Sequence, residues 1–145
     1  MSFKQIRNYP RDLAHPYVVV PNRDAFNISH RTNVDGTYRL TSDEVHCEFD
    51  DAGWSGGFPY SEVTFELPNY KCKKLVATIT SGYGYYSITV NGVTKENSVG
   101  TYVFDIPKRA KSITVTVGAS NYATPETTSG VNGDITVKDI QFIRF

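Results

Sequence analysis

This 145-residue chain is poor in the side chains that usually carry catalysis or bind metals, with three histidines and two cysteines. None of His15, His30 and His46 sits in a recognisable nucleophile or metal motif. Cys47 and Cys72 lack paired partners at zinc-ligand spacing, and two cysteines do not define a disulfide framework. No glycine-rich phosphate loop follows a strand. Charge of one sign is missing too: the 15 basic and 15 acidic residues cancel. That excludes the basic footprint of a general nucleic-acid binder. No apolar run approaches a membrane span, and the N-terminal residues show no apolar signal-peptide core. The expectation is therefore no nucleic-acid partner, no membrane partner and no secretory leader. No window keeps a helical period.

What is present is period two. Leu75, Ala77 and Ile79 alternate with Val76, Thr78 and Thr80, and Tyr86, Ile88 and Val90 with Tyr85, Ser87 and Thr89. Tyr102, Phe104 and Ile106 alternate with Thr101, Val103 and Asp105, and Ile113, Val115 and Val117 with Ser112, Thr114 and Thr116. Successive strand side chains point to opposite faces, so each run predicts a strand with one buried face. The outward set is rich in Thr and Ser, which suit a wetted pleat. Asn91-Gly92 is a two-residue hairpin signal, because a type I′ turn needs positive φ at both central residues. Pro107 ends its strand. Val45, Cys47 and Phe49 form another inward set, which predicts a buried Cys47 thiol, while Cys72 falls among lysines in a turn. Val63, Phe65 and Leu67 form one more. Ile135 and Val137 are in one phase and Ile140 and Phe142 in the other, so a β-bulge is expected near Asp139. Eight or nine strands and no core helix predict an all-β protein, an antiparallel two-sheet β-sandwich of jelly-roll type.

Residues 1–37 read differently, with an irregular apolar pattern and several prolines. They are expected to form an extended N-terminal arm, with a short strand near Tyr17–Val20, ahead of a sandwich domain over 38–145. Phe3, Ile6, Arg7, Tyr9, Arg11, Leu13 and Tyr17 are its candidate protein contacts. Charge is segregated: residues 41–70 carry seven acidic groups and no Lys or Arg. Solvated strand faces explain this, and so does an acidic patch that meets a basic one on a neighbouring copy. Asn27-Ile28-Ser29 is a formal glycosylation sequon, read as chance without a leader.

Carboxylate pairs for glycoside hydrolysis exist only in principle, as Glu48 with Glu66 or Asp50 with Asp51. On strand faces these read as solvated surface, so the protein is expected to be non-enzymatic and to need no cofactor. Asp50, Asp51, Asp134 and Asp139, at strand ends or beside the bulge, are weak candidates for a structural calcium. The aromatic loops look most functional. Trp54, Phe58 and Tyr60 lie in one glycine-rich loop, Tyr83 and Tyr85 in or beside another, and Tyr122 in a long polar loop over 118–133. Exposed aromatics stack on sugar rings or anchor protein interfaces. Alternatively, Trp54 and Phe58 fold inward and plug the sandwich.

From Val63 to Phe145 the chain resembles the galactose-binding-like and carbohydrate-binding-module jelly rolls. The stretches that carry the likeness are Glu62-Val-Thr-Phe-Glu-Leu, Tyr86-Ser-Ile-Thr-Val-Asn-Gly, Gly100-Thr-Tyr-Val-Phe-Asp-Ile-Pro, Ser112-Ile-Thr-Val-Thr-Val and Ile135-Thr-Val-Lys-Asp-Ile-Gln-Phe. Such sandwiches also occur in bacteriophage decoration, tail and fibre proteins. The resemblance leaves two uses open, and the irregular arm and segregated charge favour the first. One is a structural protein of an assembled particle, such as a phage capsid-decorating or tail-associated protein, anchored by its arm to other subunits in the virion. The other is a carbohydrate-binding module, secreted or at a cell surface, that meets glycan through its loop aromatics.

Overall fold

A computed structural model describes residues 18–19, 26–41, 44–54, 57–68 and 72–143. The strands are β1 (Val18–Val19), β2 (Asn27–Thr32), β3 (Thr37–Leu40), β4 (Glu44–Ala52), β5 (Tyr60–Pro68), β6 (Lys74–Tyr83), β7 (Tyr85–Val90), β8 (Val93–Glu96), β9 (Gly100–Asp105), β10 (Ser112–Ser120) and β11 (Val131–Ile143). The first sheet runs β3-β4-β11-β6-β9, with β1 pairing β11 beyond the end of β4; the second runs β2-β5-β10-β7-β8. All pairings are antiparallel. From β4 onward, every connection except the β7–β8 hairpin passes from one sheet to the other, which is the jelly-roll path.

The alternation in the sequence is the alternation of burial. Val45, Cys47, Val63, Leu75, Ile79, Ile88, Ile113, Val115, Val117, Ile135 and Val137 are fully buried between the sheets. Asn91 and Gly92 have φ of 45° and 86°, as the type I′ turn requires. Asp139 has φ of 55°, and the β11–β6 register shifts between Lys138 and Gln141, so the bulge falls where the phase slips.

Each sheet has five strands besides the two-residue β1, more than the eight or nine expected in all. The additions are β2 and β8, whose sequences Asn-Ile-Ser-His-Arg-Thr and Val-Thr-Lys-Glu have no apolar alternation. Both are sheet edges, where the inward side is only half covered and polar residues are tolerated. In β2 the inward phase is Ile28, His30 and Thr32. His30 Nε2 lies 2.8 Å from Ser61 Oγ, which donates to the Thr37 carbonyl at 3.1 Å, and the His30 ring stacks on Tyr38 at 4.8 Å. Thr32 Oγ1 donates to the Tyr60 carbonyl at 2.7 Å. Hydrogen bonds thus satisfy what burial leaves uncovered. Phe26 packs edge-on against Phe65 at 5.2 Å and lies 6.4 Å from Phe142. The sandwich therefore takes in Phe26–Thr32, which the sequence assigns to the arm. The arm contacts Phe3, Ile6, Arg7, Tyr9, Arg11, Leu13 and Tyr17 lie outside the described residues.

Cys47 is a buried free thiol, so it is not joined to Cys72 in a disulfide. Cys47 Sγ donates to the Val117 carbonyl at 3.3 Å. Burial pushes its pKa up to about 12, because the thiolate has no water to solvate it. Cys47 should stay unmodified by a thiol reagent at pH 8 in the native protein and react only on unfolding. The unfolded thiol ionises first, so this group's contribution to stability is complete below about 9 and is lost as pH rises toward about 12. A Cys47→Ala variant, less stable at neutral pH, should lose less further stability over that window than the wild type in urea titrations. Equal losses would contradict the assignment.

Candidate binding site

One end of the sandwich gathers the turns after β4, β6, β8 and β10. Phe58, Tyr85 and Tyr122 meet there. The Phe58 ring is 5.3 Å from Tyr122 and 6.2 Å from Tyr85, both edge-on. The three remain 50%, 53% and 58% exposed, so Phe58 does not plug the core. Trp54 is 47% exposed and does not plug it either. Among the described residues, Trp54, Tyr60 and Tyr83 make no ring–ring contact. Tyr83 and Tyr85, two apart in sequence, belong to different sheets: Tyr83 pairs with Asp134 and Tyr85 with Ser120. Gly84 turns the chain between them at φ +80°, where an added Cβ would stand 2.5 Å from the Ser120 carbonyl oxygen.

The segment carrying Phe58 is clamped by Asn33. Its Nδ2 donates to the Phe58 carbonyl at 2.8 Å, and its Oδ1 accepts from the Tyr60 N–H at 2.9 Å. The connection between β10 and β11 is shorter than expected, 121–130 rather than 118–133, because both strands extend into it. It is tied to the end of β4. The Trp54 N–H donates to the Thr127 carbonyl at 2.9 Å, and the Gly130 N–H to Asp51 Oδ1 at 2.8 Å. Asn121 Nδ2 donates to the Asn132 carbonyl at 2.6 Å, and Asn132 Oδ1 accepts from the Asp51 N–H at 2.9 Å.

Beside the aromatic trio, a cleft of about 280 Å³ opens on the outer face of the second sheet. Its shape follows from register. Glu62 pairs with Gly118, Gly118 with Ser87 and Ser87 with Glu96, one row across four strands; the next row is Tyr60, Ser120 and Tyr85. Burying Val117 and Ala119 forces Gly118 and Ser120 outward. With no side chain at Gly118, the row has a hollow centre, and an added Cβ there would stand 2.8 Å from Glu62 Cβ. Asn97, at φ 57°, closes one end: its N–H donates to the Tyr86 carbonyl at 2.9 Å and its Oδ1 accepts from the Tyr86 N–H at 3.1 Å. The lining thus combines tyrosine faces, two carboxylates, serine hydroxyls and one amide.

Of the expected site residues, Tyr60 and Tyr85 line this cleft, and Phe58 and Tyr122 join it through Tyr85. Tyr83 lies on the other sheet. Trp54 sits beside the 121–130 connection, away from the cleft lining. Glu62, Ser87, Glu96, Asn97, Gly118 and Ser120 were missed as site residues. Only Gly118, a glycine at an outward position of a strand, marks a gap locally; the rest depends on pairing. Glu48 and Glu66 do not pair, since Glu48 is on the outer face of the first sheet and Glu66 on that of the second. Glu48 Oε2 lies 3.3 Å from His46 Nε2, and Glu66 Oε2 accepts from Thr114 Oγ1 at 3.3 Å. Asp51 is taken up by the Gly130 N–H. Asp139 sits at the β11 bulge, at the opposite end from Asp50 and Asp51. Among the described residues, no group of three His, Cys, Asp or Glu is placed to hold a metal ion.

Two substitutions test this construction. Gly84→Ala combines a strained φ with a backbone clash and should cost about 1–3 kcal/mol in urea unfolding. Asn33→Ala should cost about 1–2 kcal/mol and broaden the Phe58 ring resonances. A Gly84→Ala protein as stable as wild type would contradict the turn geometry. No protein-family model matches the chain, and no curated protein matches it, so the reading of this site rests on its geometry.

Proposed function

We propose that the protein is a non-enzymatic binding module that takes a carbohydrate into the cleft between Tyr60 and Tyr85. The observation that carries this reading is the continuity of exposed aromatic surface, from Phe58 and Tyr122 through Tyr85, with a hollow lined by hydrogen-bonding groups. A sugar ring has apolar C–H faces and a polar hydroxyl edge, and this pairing of stacking faces with acceptors and donors suits both. Against hydrolysis stands the spacing of the cleft carboxylates. Glu62 and Glu96 are three strands apart in their row, or about 14 Å between Cα atoms. That is wide for two groups flanking one glycosidic bond.

On immobilised glycans that retain the wild type, Tyr85→Ala and Tyr122→Ala should each weaken retention by about 5–30-fold. Because both side chains are exposed, the melting temperature should move by less than about 4 °C. Trp54→Ala should change retention less. Unchanged retention in both tyrosine variants, or no glycan retained by the wild type, would sink this reading.

A second observation supports the particle reading. Val18–Val19 pairs with Ile143 and Phe142, at the end of the sandwich opposite the aromatic cleft. A sandwich held from that side presents its cleft outward, as a capsid-decorating or tail-associated phage protein would. Deleting residues 1–17 should then abolish incorporation into the particle while leaving the melting transition intact. A truncated protein that incorporates normally would contradict it.

A further inference from the structure

The charge of the cleft narrows the ligand beyond carbohydrate in general. Two carboxylates, Glu62 and Glu96, border the hollow over Gly118, and no Lys, Arg or His lines it. Glu62 has a cation on its outer flank, Arg31 at 3.5 Å, but the Arg31 side chain is 70% exposed. Exposed pairs of this kind hold little energy. Glu96 has no cationic partner among the described residues. Lys95, its neighbour in sequence, is in the opposite phase of the strand, paired with Ile88 rather than with the cleft row. The lining therefore presents net negative charge inside a chain whose total charge is zero, so the local field is a property of the cleft and not of the whole surface.

A neutral sugar entering this hollow offers hydroxyl donors to both carboxylates but no countercharge. Closing a ligand over them displaces the water that screens them, and uncompensated carboxylates resist that displacement. An ammonium group relieves the cost, because charge-assisted hydrogen bonds to carboxylate are about twice as strong as neutral ones. The rings of Tyr60 and Tyr85 border the same hollow, and an aromatic face attracts a cation. Ser87, Ser120 and the Asn97 amide remain for hydroxyls.

We infer that the cleft is selective for an amino sugar with free amines, that is, a de-N-acetylated hexosamine oligomer, with separate ammonium groups of the oligomer on Glu62 and on Glu96, to either side of Gly118. This rests on the carbohydrate reading above and adds the charge of the ligand. N-acetylation removes the charge that the two carboxylates would meet.

The experiment is titration calorimetry of the full chain with glucosamine tetramer and with its N-acetylated counterpart, alongside Glu96→Gln, Glu62→Gln and Tyr85→Ala. The free-amine oligomer should bind about tenfold or more tightly than the acetylated one. Each Glu→Gln change should shrink that preference several-fold at an unchanged melting temperature, and Tyr85→Ala should weaken both oligomers. Equal affinity for the two oligomers would overturn the inference and leave the carbohydrate reading standing. Binding of the amine oligomer that is untouched by Glu96→Gln and Tyr85→Ala would overturn it as nonspecific attraction. If neither oligomer binds, nor any member of a neutral glycan panel, the carbohydrate reading falls and the inference with it.

Discussion

The structure turns on the register of β10. This strand pairs along nine residues with β5 and along six with β7, and Ile113, Val115, Val117 and Ala119 are buried beneath it. A slip of one residue would turn that whole apolar set to solvent. Full burial of one such side chain contributes roughly 1.5–3 kcal/mol, so the register is firmly specified. Everything on the outer face inherits it. Gly118 falls between Glu62 and Ser87, and Ser120 between Tyr60 and Tyr85. The floor of the cleft is therefore a by-product of core packing, set by a strand whose inner side is satisfied, and its end at Asn97 is set by the turn after β8.

The same register gives the rest of that face a different character. Ser29, Thr64, Thr116, Thr89 and Thr94 form one row across the five strands. Their hydroxyls partner each other, Thr64 with Thr116 at 2.9 Å and Thr89 with Thr94 at 2.8 Å. Such cross-strand threonine pairs stabilise the pleat and leave few groups free for a ligand. The cleft row, two residues further on, has a glycine at its centre and long acidic side chains at its sides. Within one sheet face, a row of paired hydroxyls thus lies beside a row with a hollow centre. At the opposite end of the sandwich the Asp139 bulge and the pairing of Val18–Val19 finish the first sheet.

Much of the fold is legible in the sequence because burial is a local signal in a strand. Leu75, Ile88 and Val115 announce their face by alternation alone. β2 does not, because beyond Ile28 its inward side is completed by hydrogen bonds at His30 and Thr32. Polar edge strands of that kind look like loop, and for this reason the sequence assigns Phe26–Thr32 to the arm. The site is legible only in part. Phe58, Tyr85 and Tyr122 stand out as aromatics among glycines, but their convergence requires the crossing of sheets at Gly84 and the clamp by Asn33. Glu62 and Glu96 look like ordinary outward carboxylates. They share a row only through two intervening strands, and a pairing between residues 62, 118, 87 and 96 leaves no trace in any short window. Tyr83 shows the converse: beside Tyr85 in sequence, it is carried away by the other sheet.

A ligand that enters over the row Glu62, Gly118, Ser87 and Glu96, between Tyr60 and Tyr85, would be registered by the backbone amides of that row. Backbone amide NMR of the uniformly ¹⁵N-labelled protein, titrated with glucosamine and N-acetylglucosamine oligomers, reads every position at once. Shifts concentrated at Tyr85, Ser87, Glu96, Asn97, Gly118 and Ser120, with the first sheet unmoved, are the predicted result. Shifts centred on Trp54, on Tyr83 or on the exposed edge of β9, or no shifts with either oligomer, would contradict it.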